Sequence, residues 1–501
     1  MDSRAIYQDV CRKLAEITTL DEITGLLQWD QEVVMPRGAA PSRGRQCATL
    51  AVLRHQRATD PALGEQLEAL SAVDELAQVE AANVREALRD WRRAARLPED
   101  LVRRWGEATV AAHEIWVDAR AADDFDRFAP ALAELVELAR ARAAAIDPDA
   151  PAYDVFIDEY EPGMTMARLT PLFDRLKDFL VPFIARVRAD GVDQACAWTR
   201  TPVAVADQVE VARHFIAAQG YSFDCGRVDT AVHPFCGGAG VTDVRITTRY
   251  KEDGFLGSLL AAVHETGHAL YEQGRDANLA AQPVSRARSM GMHEGQSLLW
   301  EKQIARSRPF WQHWLPWLRG RYAHLAEVPL EEFLFGINRV DFGNLIRVDA
   351  DELTYPLHVT MRYEIERDLL NGSLQVAHVP QVWNDAMQRY LGVTPPGQAD
   401  GALQDIHWSM GAFGYFPSYT LGALYAAQIH AAVSREIPDL ATQVALGNTT
   451  ALRAWLSDRI HRQGSILETD ALCTAATGAP LDPEPFIHYA TAKYSALYRL
   501  A

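Results

Sequence analysis

The sequence predicts a mainly α fold carrying one small β-sheet, on three observations. Apolar residues recur at three- and four-residue intervals over most of the chain, as in Leu132, Leu135, Val136 and Ala139. Turn formers between Asp147 and Pro151 and at Pro162-Gly163 cut that pattern into separate helices. A single stretch alternates as a half-buried strand does, with Val244, Ile246 and Thr248 set against Arg245, Thr247 and Arg249. With 501 residues, the chain exceeds the roughly 250 to 300 at which one core stops growing, so two lobes are expected within one domain: residues 1–195, all helical, and residues 196–501, with the sheet.

In order along the chain, amphipathic helices are expected from Tyr7 to about Ala145. The sheet is expected between Thr230 and Tyr250, its strand following a Gly237-Gly238 turn. Helical patterning resumes near Gly257 and continues to the C-terminus, with loops near Pro395-Pro396 and from Pro480 to Pro485. No internal repeat or low-complexity tract interrupts it.

Composition excludes several classes. A charge of -18 argues against nucleic acid and anionic membrane surfaces as partners, since both reward clustered Lys and Arg. Met1 to Leu20 carries Asp2, Asp9 and Glu16 where an export signal needs a continuous apolar core. The most apolar run, near Leu421, is broken by Gln428 and His430, so no membrane span is expected. The six cysteines are dispersed with no CxxC pair, which disfavours both a thiolate metal site and a disulfide framework. They read as small buried residues in a cytoplasmic protein.

One segment carries chemistry. Leu259 to Tyr271 reads as a helix that stops before Gly274, and its centre, His264-Glu265-Thr266-Gly267-His268, is HExxH. Residues four apart share a helix face, so His264 and His268 can offer imidazole nitrogens to one ion while Glu265 reaches the water that ion binds, as a general base. A catalytic zinc needs a third protein ligand. Glu294 is the choice, because it precedes the apolar stripe Leu298, Leu299 and Trp300 and can point inward from a second helix; Glu301, two turns on, is the alternative. Two histidines and one carboxylate favour Zn2+, though Co2+ or Mn2+ can occupy the same set.

These segments and several others resemble the carboxypeptidase Taq family of zinc metallocarboxypeptidases over essentially the whole chain. The shared motifs are His233-Pro234-Phe235, Asp243-Val244-Arg245-Ile246-Thr247, HExxH, the run Ile346 to Asp351, and Gly401 to Trp408 with its Gln404-Asp405 pair; Trp29-Asp30-Gln31 and Met35-Pro36 match the family's opening. The resemblance implies a two-lobed helical metallopeptidase with a deep groove and a small sheet beside the HExxH helix. It also implies a homodimer and removal of single residues from peptides with a free C-terminus. It supports Glu294 as third ligand, in a motif where Gly295 replaces the usual serine.

Further roles follow from the same resemblance. Arg347 is the candidate for the substrate carboxylate, which a guanidinium grips in a bidentate fork; a structural ion pair with Asp349 or Asp351 is the competing reading. His407, Tyr415 and Tyr419 are candidate donors to the oxyanion or the substrate terminus, or else packed residues with one satisfied polar atom. His233 and Arg245 are expected to close one end of the groove, against a plain turn residue and a strand-edge charge. Two other readings stay open: a zinc endopeptidase or oligopeptidase on a similar scaffold, and a metal-free helical protein that keeps the motif without activity.

Overall fold

The computed structural model describes residues 3–500; Met1 and Asp2, the first two positions of the stretch inspected for an export signal, lie outside the described residues, as does Ala501. Helices dominate from the first described residue. Ser3–Val33 pairs with Ala40–Ala58, and Glu99–Ala121 with Phe125–Ile146, where the periodic Leu132, Leu135, Val136 and Ala139 are all buried as their spacing requires. The loops expected after Ile146 and at Pro162-Gly163 are present, flanking the short helix Ala152–Tyr160.

Apolar side chains gather in three clusters. A small one joins Val10, Leu14 and Ile17 of the first helix to Leu63, Leu67, Val84 and Leu88. The main core runs from Leu101 to Tyr498, so apolar packing crosses residue 195, where the boundary between lobes is expected. The third lies under the sheet and seats Val244 and Ile246 against Ala262 and Ala269 of the helix Phe255–Gly274. That contact fixes the HExxH helix relative to the strands.

The sheet has three strands, β1 (Gly226–Thr230), β2 (Phe235–Gly238) and β3 (Val244–Thr248), in the order β1-β3-β2. β3 runs parallel to β1 and antiparallel to β2. Two expectations change. Gly237 and Gly238 are not the turn but the end of β2, paired with Arg245 and Val244; the reversal comes later, where Ala239 donates to the Asp243 carbonyl and Asp243 to that of Gly240. The alternation along β3 also fails at Thr247, which is fully buried because its hydroxyl bonds the backbone of Phe235 on the neighbouring strand. The first helix covers this sheet: Trp29 lies 5.0 Å from the Arg227 guanidinium and 4.2 Å from that of Arg245.

Among the described residues no helix is long and apolar enough to cross a membrane. Toward the C-terminus, the helix Phe416–Glu436 packs on the segment that carries Glu294, and the helices Tyr355–Asn371 and Glu484–Tyr498 pack on Phe416–Glu436.

Candidate active site

The HExxH helix spans Phe255–Gly274, a little longer at each end than its pattern suggests. Behind it, Met290–Leu298 continues directly into a π-helical stretch, Leu299–Ala305, a wider winding often found at functional sites. The HExxH helix packs on both stretches, and these in turn lean on Phe416–Glu436.

This packing brings His264, His268 and Glu294 into one cluster, with a donor atom from each lying within 4.8 Å of the others. Glu294 Oε2 is 3.7 Å from His264 Nε2 and 3.3 Å from His268 Nε2. Both Nε2 atoms therefore face one carboxylate, and both Nδ1 atoms face away from it. His264 Nδ1 meets Glu301 Oε2 at 3.1 Å, while the other oxygen of Glu301 takes Lys302 at 2.6 Å and Arg306 at 2.9 Å. Glu301, the alternative third ligand, thus stands outside the cluster, behind His264. Two imidazoles and a carboxylate converging from two helices are the donor set a divalent ion takes, with further coordination positions left for water or substrate.

Electrostatics distinguish the two histidines. Burial opposes a charge on His264, but the nearby Glu294 and Glu301 prevail and lift it to about 9. His268 is pushed down to about 4 by burial and by the neighbouring imidazole of His293. Glu265 is buried, and that burial raises its carboxyl to about 7 against the pull of His264. A carboxyl poised near neutrality can both take and return a proton.

Close backbone approach sets Glu294. A Cβ on Gly422 of the helix Phe416–Glu436 would fall 2.6 Å from the Glu294 Cβ, so only glycine leaves room for this side chain. Gly295 has a similar cause: a Cβ there would come 2.9 Å from the Cβ of Tyr425 on the same helix. The departure from serine thus accompanies a tight helix–helix contact beside the ligand.

Arg347 lies in a single 3-10 turn, Arg347–Asp349, and is almost fully buried. Its Nε donates to Asp405 Oδ1 at 2.9 Å and its Nη1 to the Tyr355 hydroxyl at 3.1 Å, with no hydrogen bond from Nη2 to any described residue. The expected ion-pair partners are corrected: Asp349 is exposed, and Asp351 is occupied by the backbone N–H groups of Leu353 and Thr354 at a helix start. The second oxygen of Asp405 takes Arg362 Nε at 2.6 Å, and Arg362 is wholly buried.

The remaining candidates fall into two groups. His407 Nε2 meets the Tyr419 hydroxyl at 3.2 Å, its Nδ1 is buried without a partner, and burial lowers it to about 3, so it is neutral. The Tyr415 and Tyr419 rings are 5.3 Å apart, and Tyr419 lies 4.7 Å under the Arg347 guanidinium. Burial raises both phenols, Tyr419 to about 12, with the Glu294 charge adding to the effect. These residues, with Tyr355, form one aromatic wall beside Arg347. By contrast, His233 is exposed in the connection between β1 and β2, and Arg245 forks onto Asp243 at 2.7 and 2.8 Å; neither contacts the cluster.

Sequence reading missed Tyr355, Arg362, Glu272 and the role of His293. Gln404 and Asp405 stand in a quoted motif whose function only the contacts reveal: Gln404 Oε1 accepts from the Arg347 backbone and from Arg362.

Comparison with known proteins agrees with this geometry. The family model described as carboxypeptidase Taq (M32) metallopeptidase matches residues 9–494. The chain is 38% identical to thermostable carboxypeptidase 1 of Thermus thermophilus, over 99% of this chain and 100% of that protein. Among solved structures, the M32 carboxypeptidase from Deinococcus radiodurans R1 superposes with a TM-score of 0.96 at 37% identity, covering 99% of this chain and 100% of that one. Metallocarboxypeptidase 1 of Trypanosoma cruzi gives 0.92 at 38%, covering 98% and 99%. The family is a metallopeptidase family, which implies a divalent ion, and His264, His268 and Glu294 form a group of donors that could hold one. This chain belongs to the carboxypeptidase Taq (M32) metallopeptidases.

Proposed function

We propose that the protein is a zinc-dependent carboxypeptidase that hydrolyses the last peptide bond of peptides with a free C-terminus. The convergence of His264 Nε2, His268 Nε2 and Glu294 Oε2, with Glu265 buried on the helix that bears both histidines, carries the reading. Those three side chains would hold the ion, and zinc suits two imidazoles and a carboxylate best, with cobalt or manganese as substitutes. When bound, zinc supplies Lewis acidity, which acidifies water and polarises the scissile carbonyl.

The chain's own groups do the rest. Arg347, held by Asp405 and Tyr355, offers Nη2 to the substrate's terminal carboxylate. Its buried, prepaid geometry makes that grip selective for a free C-terminus. Glu265 takes the proton of the attacking water on its carboxylate and returns it to the leaving amine. Tyr415, Tyr419 and His407 line the same wall and supply donors to the oxyanion or the substrate terminus. His233 and Arg245, on the sheet side, limit how far a peptide extends. The resemblance supports a homodimer, and the dispersed cysteines support a cytoplasmic location.

The decisive test compares a blocked dipeptide with its C-terminal amide, using metal-stripped and zinc-reconstituted protein. Reconstituted protein should cleave the free acid and spare the amide. Equal rates on both would replace this reading with an endopeptidase, and no zinc-dependent cleavage of either would point to an inactive scaffold.

A further inference from the structure

We propose that His293 is a positioning residue for the metal centre: by accepting a hydrogen bond from His268, while itself anchored on Glu272, it fixes the tautomer that presents the His268 Nε2 lone pair to the metal. The inference rests on the reading of His264, His268 and Glu294 as ligands.

A chain of four side chains runs away from the cluster. His268 Nε2 faces Glu294 at 3.3 Å, and its Nδ1 lies 2.6 Å from His293 Nδ1. The other ring nitrogen of His293 is 2.9 Å from Glu272 Oε1, and Glu272 Oε2 pairs with Arg275 Nη1 at 2.5 Å. The two imidazole planes are 23° apart, with ring centroids at 4.6 Å. Tyr271, fully buried, lies nearly parallel at 5.4 Å on the His293 ring and limits its rotation.

Proton directions follow from the donors and acceptors. A His268 that gives its Nε2 lone pair to a metal keeps its proton on Nδ1, and two Nδ1 atoms 2.6 Å apart have room for that one proton only. Glu272 fits this direction, because an ionised carboxylate only accepts, so His293 turns an Nε2–H toward it and leaves Nδ1 to accept. His293 Nδ1 is then a bare lone pair, the shared proton resides on His268 Nδ1, and His268 Nε2 is left unprotonated. His264 needs no such intermediary, since Glu301 receives its Nδ1–H directly. The two ligands are thus oriented by unlike devices, a carboxylate for one and an imidazole backed by a carboxylate for the other. Neighbours of this kind also raise ligand basicity and hold the ring in register.

The test measures zinc dissociation by competition with a chelator in the full-length protein, with the visible spectrum of the cobalt form as a second readout and thermal unfolding of the metal-free form as the folding control. His293→Phe keeps a flat ring against Tyr271 but removes the acceptor, and should weaken zinc binding about 10- to 100-fold and alter the cobalt bands. His293→Asn places an amide oxygen near the lost Nδ1 and should recover much of that affinity. A folded His293→Phe that binds zinc like the wild type, or an Asn variant no better than Phe, would overturn the positioning role. If His293→Phe does not fold, Glu272→Leu probes the same chain from its far end: a loss of roughly tenfold supports the role and unchanged affinity overturns it. Wild-type protein that takes up no zinc or cobalt would bring down the ligand assignment itself, a result distinct from a defect confined to the variants.

Discussion

The metal cluster and the Arg347 site are assembled in opposite ways. His264, Glu265 and His268 sit on one unbroken helix, and Glu294 comes from the next, so helical rise and one packing contact set their geometry. Arg347 lies in a single turn, and its orientation depends on Asp405, Gln404 and Arg362, which belong to a loop and to a different helix. The first site is a property of a rigid element, the second of a polar network inserted between elements. Under the proposed function, the contrast teaches that the group assigned to the reacting bond sits where small motions are suppressed, while the group assigned to the substrate's end is held by bonds that can be altered one at a time.

Three substitutions break or sharpen that contrast. The largest effect is expected from Glu265→Gln, which keeps the shape and removes the base: turnover should fall by about a thousandfold or more while zinc content, measured by elemental analysis, stays stoichiometric. Near-normal turnover in that variant would remove Glu265 from its role. A smaller loss is expected in the network. Arg347→Ala should lower kcat/KM for free-acid substrates by about 10- to 100-fold, as for loss of a charge-assisted pair, without changing metal content. Steady-state kinetics that show no change would return Arg347 to a structural part.

The smallest effect concerns Glu366, which supports the pocket side by accepting from Tyr153, Trp408 and the Gly414 backbone at 2.7 to 2.9 Å. Burial lifts its carboxyl from 4.5 to about 7, against these donors. The folded form therefore holds the proton more tightly than the unfolded chain, so this group's contribution to stability is fully present below about 4.5 and is lost as pH rises through about 7. The advantage of wild type over Glu366→Gln in denaturant titrations should shrink between pH 5 and pH 8; an advantage that grows would reverse the sign assigned here.

How much of this is legible in the sequence depends on distance along the chain. The HExxH pair is readable because its four-residue spacing is itself the geometry. Glu294 is readable as a nearby carboxylate ahead of an apolar stripe, whereas its separation from Glu301 needed the π-helical winding that sends Glu301 behind His264. The partner of Arg347 was sought among the adjacent aspartates, but a helix start claims Asp351 and the true partner comes from another segment. Likewise, β1 escaped notice because Gly226–Thr230 has little strand character alone and is held by its pairing with β3. Nothing local in His293 or Glu272 marks them as a pair; only the packing of two helices brings them to 2.9 Å.

Trp29 has a consequence for the whole front of the molecule. Its indole covers two guanidinium groups on the sheet, and the sheet in turn supports the helix bearing Glu265 through Val244 and Ile246. The opening helix is thus geared through the strands to the helix bearing Glu265, so that a displacement of one end of this stack is felt at the other.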